Sequence, residues 1–143
     1  MMNRRLFAQA GALAAFALLV PAALAQTAAA RNRLVIQMSD NDQAKWNLAL
    51  NNAKNVQDDV GAANVDIEIV AYGPGINMIK LESPVAGRVA DAMKAGIKVI
   101  ACENTMKAQK ITKDDMTPNI SYVPAGVTEI MKKQAQGWAY VRP

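Results

Sequence analysis

The chain has 143 residues, a formal net charge of +4, one cysteine and no histidine. That length suits one domain with a substantial core. Without histidine there is no Ser-His-Asp triad, no Cys-His pair and no imidazole metal site. A single cysteine closes no intramolecular disulfide, and the charge is too slight for a nucleic-acid footprint.

The first 25 residues read as a secretory signal peptide. Arg4 and Arg5 give a basic start, Leu6 to Ala25 are almost entirely apolar or small, and the run ends "PAALAQ" with Ala23 and Ala25 as small residues before a cleavage point. The pair Arg4-Arg5 followed by Phe7 fits a twin-arginine export signal and an ordinary export signal equally well. A periplasmic location is expected, with no membrane association once the signal is removed. Residues 26–32, "QTAAARN", are small and polar and read as a flexible tether to a domain at 33–143.

"LVIQM" predicts a first strand at Leu34–Met38. Its unbroken apolar run suits a strand covered on both faces. "SDND" follows as a turn in which Ser39, Asp40 or Asp42 can cap the next helix. That helix is predicted from Gln43 to about Asp58, with Trp46, Ala49, Leu50, Ala53, Val56 and Val60 as one apolar stripe. Gly61 stops it. Val65–Tyr72 reads as a second strand. Its alternation at Asp66 and Glu68 suggests charges facing solvent on an edge strand.

"GPG" at Gly73–Gly75 predicts a sharp turn, followed by a short helical piece. "SPVAGRVADAMKAG" predicts a helix with Ser83 as N-cap, Pro84 in the first turn and Gly96 as the stop. "IKVIAC" is a third strand, and "NTMKAQK" opens another helix. "NISYV" is a fourth strand. The helix that follows carries Val127, Ile130, Met131 and Gln134 on one side, and "WAYVR" is a fifth strand. Strands alternating with helices imply an α/β fold with a mostly parallel five-stranded sheet, helices on both faces and one domain.

In such sheets ligands bind beyond the carboxyl ends of the strands. That rule selects Asp40 after the first strand, Gly73, Pro74 and Gly75 after the second, and Cys102, Asn104 and Thr105 after the third. Cys102 stands where a strand ends and a helix begins. The free N–H groups of a helix start favour a thiolate, which is the reactive form. Asn104 or Thr105 can cap that helix, while Glu103 opposes thiolate formation. A buried cysteine that packs as a small hydrophobe is the competing reading. Gly-Pro-Gly can offer N–H groups to an anion, although such turns are commonly only turns. The acidic pairs at 40/42, 58/59 and 114/115 fit capping and solvation. The scattered methionines make no copper cluster, and no cofactor or metal is expected.

The segments "VIQMSDND", "VAYGPGINMI", "VIACENTMKAQKITKDDM" and "ISYVPAGVTEIMKKQAQGWAYVRP" resemble the DsrE/DsrF-like proteins of sulfur oxidation and sulfur relay, across about Leu34 to Pro143. The resemblance implies a three-layer α/β/α sandwich that assembles into homo-oligomers, often trimers or hexamers. It implies that Cys102 carries sulfane sulfur as a persulfide between a donor and an acceptor protein. The chain is more similar to the exported, poorly characterised branch than to the intracellular subunits, and it lacks a second cysteine to take sulfur onward. Two functions therefore stay open. One is a sulfur carrier, transferase-like at most. The other is a non-enzymatic periplasmic binding or assembly module in which Cys102 is structural.

Overall fold

The computed structural model describes residues 31–143; the expected signal peptide and most of the tether lie outside the described residues. Five strands form one sheet: β1 (Asn32–Met38), β2 (Val65–Ala71), β3 (Lys98–Cys102), β4 (Ser121–Val123) and β5 (Ala139–Val141). Their order is β4-β3-β2-β1-β5, and every pairing is parallel. Four α-helices connect them: α1 (Gln43–Val60), α2 (Ala86–Lys94), α3 (Glu103–Ala108) and α4 (Gly126–Ala135).

The alternation of strand side chains divides the core into two unequal halves. Leu34, Ile36 and Met38 of β1, Ile67, Ile69 and Ala71 of β2, and Val99 and Ala101 of β3 face α1 and α2. Trp46, Ala49, Leu50 and Ala53 of α1, Val89 of α2, Met106 of α3 and Ile76, Met78 and Ile79 from the segment after β2 join this larger core. On the other face Val35, Val70 and Ile100 meet Ile130 of α4, with Tyr72, Val123 and Trp138 at the margin. The result is a three-layer sandwich whose second helical layer is thin.

Local signals explain most boundaries. Asp42, rather than Ser39 or Asp40, caps α1, accepting hydrogen bonds from the N–H groups of Ala44 (2.8 Å) and Lys45 (3.3 Å). β1 starts at Asn32, ahead of the expected Leu34, and Arg31 beside it pairs with Asp66 at 3.1 Å.

Three expectations need correction. β2 is a central strand and not an edge, because Glu68 is buried and neutralised by Lys98 (3.3 Å) and Lys133 (2.9 Å). α2 begins at Ala86, and Ser83 accepts from the Val85 N–H (3.3 Å) in a turn that precedes it. The apolar stripe expected on α4 is mostly outside. Val127 and Met131 are 60% and 62% exposed, and the row facing the sheet is Gly126, Ile130 and Lys133. Spacings of four and three residues place that row on one side of the helix.

The segment after β2 is a 3₁₀ helix, Gly73–Ile79, which folds back over the end of β1. Gly75 makes this possible. A Cβ there would overlap the Met38 carbonyl and the Cα of Ser39, both backbone atoms that cannot rotate away. Gly75→Ala is therefore expected to destabilise the fold by about 2–3 kcal/mol, read by urea denaturation.

Candidate functional site

Cys102 ends β3, on the sheet face that carries α4, and is 5% exposed. Two helices meet at its sulfur. α3 begins with the next residue, so the Thr105 N–H lies beside it, while the Asn104 N–H nearby donates to the Pro124 carbonyl at 3.1 Å. α4 arrives from the other direction, bringing the Gly126 N–H. A Cβ on Gly126 would stand 3.3 Å from the Cys102 Cβ, 3.2 Å from Val70 and 3.1 Å from Tyr72, closer than packed side chains normally sit. A glycine is what allows the first turn of α4 to press onto the cysteine.

The third contribution is Thr105. Its hydroxyl oxygen accepts a hydrogen bond from the Gly73 N–H at 2.9 Å. That occupies a lone pair and leaves the O–H to donate to the sulfur. Gln109 secures the same loop by donating to the Gly73 carbonyl at 3.2 Å. Gly73 thus orients the hydroxyl that meets the thiolate. Its φ of +52° is a backbone conformation that glycine adopts without strain.

These groups compete over the protonation of Cys102. Burial is the largest influence and pushes the thiol up. The Thr105 hydroxyl and the N–H groups of Gly126, Thr105 and Asn104 pull it down, and their sum leaves the thiol below its ordinary value of 9.0. In its neutral form the S–H approaches the Pro124 carbonyl at 3.9 Å. Glu103 is exposed.

The sequence-predicted residues thus separate. Cys102, Thr105 and Gly73 come together, and the Asn104 N–H beside them is taken by the Pro124 carbonyl. Neither Asn104 nor Thr105 caps α3 with its side chain, contrary to expectation. Pro74 is exposed, and Gly75 packs on the end of β1. Asp40 lies beyond β1, with β2 between its strand and β3. Its carboxylate is held by Lys45 (3.0 Å) and Arg142 (3.3 Å), which keep its pKa below the usual carboxylate value, and its carbonyl accepts from the Trp46 indole at 2.7 Å. Asp40 therefore clamps α1 and the C-terminal end of the chain. Sequence reasoning missed Gly126. The available signal was a glycine opening an amphipathic helix, in "PAG", where a polar cap is usual.

A family model for the DsrE/DsrF-like family matches residues 32–143. The chain belongs to the DsrE/DsrF-like family. The family is generally linked to sulfur relay. A protein of unknown function, MTH1491 from Methanobacterium thermoautotrophicum, is 33% identical with a TM-score of 0.75, covering 78% of this chain and 99% of its own. BT1422 from Bacteroides thetaiotaomicron, also of unknown function, shares the fold at 13% identity and a TM-score of 0.63, covering 78% of this chain and 95% of its own. The ychN protein from E. coli shares it at 8% identity and a TM-score of 0.62, covering 79% of this chain and 99% of its own. Comparison with curated protein sequences gives no match.

Two substitutions test how the DsrE-like fold tunes its cysteine. Gly126→Ala pushes the first turn of α4 off the sulfur, and Thr105→Val removes the hydroxyl donor. Each is expected to raise the thiol pKa, measured by the pH dependence of alkylation. Stability supplies a cross-check with a defined sign. A thiol whose folded pKa lies below its unfolded value stabilises the fold above the unfolded pKa, and that gain is lost as pH falls through the folded pKa. The wild type should therefore gain stability relative to Cys102→Ala as pH rises towards 9.

Proposed function

We propose that this protein is a periplasmic sulfur carrier in which Cys102 accepts sulfane sulfur as a persulfide and passes it to a partner. The observation that carries the reading is the place of Cys102, at the carboxyl end of β3 and the start of α3 with Gly126 of α4 packed against it, where the nearby donors hold the thiol below its ordinary value despite burial. The family's general link to sulfur relay points the same way. The periplasmic element rests on the sequence of residues 1–25.

The chemistry needs no histidine and no second cysteine. The Cys102 thiolate attacks the outer sulfur of a donor persulfide. A new S–S bond forms to Cys102, the donor's S–S bond breaks, and the donor leaves as its thiolate. An acceptor thiolate then attacks the outer sulfur of the Cys102 persulfide and releases Cys102 as a thiolate. Each exchange keeps the number of S–S bonds constant, so no external oxidant enters. A leaving thiolate of lowered pKa departs faster, which helps the second step. After polysulfide treatment the mature protein should gain mass in whole sulfur atoms. A Cys102→Ser variant that gains as much would sink the reading.

The burial of Cys102 favours a second reading, a binding or assembly module in which the cysteine only packs. Titration of the native thiol separates the two. Reaction only after denaturation supports packing, whereas reaction below pH 7 supports a carrier.

We further propose that the protein is a homo-oligomer, a trimer or hexamer. Val127 and Met131 support this. They are one turn apart on α4, largely exposed, and on the helix whose first turn touches Cys102. Adjacent exposed apolar side chains suit a contact with a second copy. Replacing both with Glu is expected to shift the protein to monomer in light scattering; an unchanged mass would rule this face out as the interface.

A further inference from the structure

Glu68 is an unusual residue to find in the middle of the central strand. It is buried, and its second carboxylate oxygen has no hydrogen-bond partner among the described residues. Burying a carboxylate is costly, and an apolar residue at such a position is often as stable or more so. Its charged neighbours are Lys98 from β3 at 3.3 Å and Lys133 from α4 at 2.9 Å. Glu129 stands behind Lys133 at 3.5 Å, and Val35 is the residue of β1 in register with Glu68. Lys133 is also held from the other side, its ammonium 4.4 Å from the centre of the Trp138 ring.

The placement along α4 gives this cluster a role. The helix meets the sheet through Gly126, Ile130 and Lys133, and of these Ile130 is the apolar anchor. Gly126 lies against Val70, Tyr72 and Cys102, while Lys133 reaches Glu68. α4 therefore runs back along β2, from its carboxyl end towards its middle. Seven helical residues rise about 10 Å. Glu68 to Tyr72 spans about 13 Å of strand. The helix is pinned at both ends with little apolar contact between, so a tilt or slide permitted at Lys133 appears at Gly126.

We infer that Glu68 is a positioning residue for Cys102: by holding Lys133 it seats α4 so that the Gly126 N–H faces the sulfur. The inference rests on the reading of Cys102 as a working thiol. Its physical content is that a buried ion pair, of little net value to stability, fixes helix register instead.

The test is the apparent pKa of Cys102, taken from thiolate ultraviolet absorbance and from the pH profile of alkylation. Wild type, Glu68→Gln, Lys133→Met and the double variant Glu68→Leu/Lys133→Leu are compared, each with its stability from urea denaturation. The double variant replaces the pair with apolar side chains and guards against simple failure to fold. The expected result is an upward move of the thiol pKa in all three variants. It corresponds to about a threefold to tenfold loss of thiolate-dependent alkylation at pH 7. Lys133→Arg, which keeps the charge, is expected to hold the wild-type pKa. A structural role alone would lower stability and leave the pKa of the folded thiol in place. An acidic wild-type thiol that stays acidic in the folded double variant overturns the positioning inference while sparing the carrier reading. A wild-type thiol of ordinary acidity overturns both.

Discussion

The close approach of α4 to the sheet at Gly126 is the contact on which the rest of the site depends. Among the described residues this is the helix that covers its face of the sheet, and it buries only Gly126 and Ile130 there. Had position 126 carried a side chain, the first turn would stand off from Val70, Tyr72 and Cys102. The opposite face is built differently, with residues of α1, α2 and α3 in one broad apolar core. The molecule thus has a well-packed face that supplies stability and a sparsely packed one that supplies chemistry. On the sparse face, polar contacts decide where the helix sits.

The electrostatics of Cys102 follow from that geometry. A thiol as buried as this one would ordinarily be less acidic than in water. The opposing donors come from separate parts of the chain: α3 directly after the cysteine, α4 more than twenty residues later, and Gly73 acting through Thr105. No single one need be strong, because their influences on the thiol add. The arrangement also explains why the loop after β2 begins with glycine. Its N–H orients a hydroxyl, and its backbone conformation would strain any other residue.

The fold was largely legible in the sequence because its signals are local. The spacing of Trp46, Ala49, Leu50 and Ala53, the Asp42 cap and the apolar runs of β1 and β3 are each determined within a few residues. What escaped was long-range. Glu68 alternates with Asp66 and looks solvated, because nothing nearby reveals that Lys98 and Lys133 will neutralise it from 30 and 65 positions away. The stripe on α4 misled for a related reason. Val127 and Met131 look like the buried side until the sheet is known to accept Gly126 and Lys133 in their place. The strand-end rule selected Cys102, Gly73 and Thr105, which the fold brings together, but gave no sign of their connections. Asp40 obeyed the same rule and turned out to be a clamp, since Lys45 and Arg142 occupy its carboxylate.

The missing histidine has a consequence for how Cys102 responds to its surroundings. In thiol sites built on imidazole, the activating group carries its own charge and loses it near neutral pH, so ionic strength and mild acidity both disturb the pair. The groups that act on Cys102 are a hydroxyl and backbone amides, which carry no net charge and do not titrate. Dissolved ions have little to screen at such short range. The sulfur's ionisation should follow a single titration, its own, and stay nearly constant from dilute to concentrated salt. A thiol held this way keeps its character when the salt around it changes.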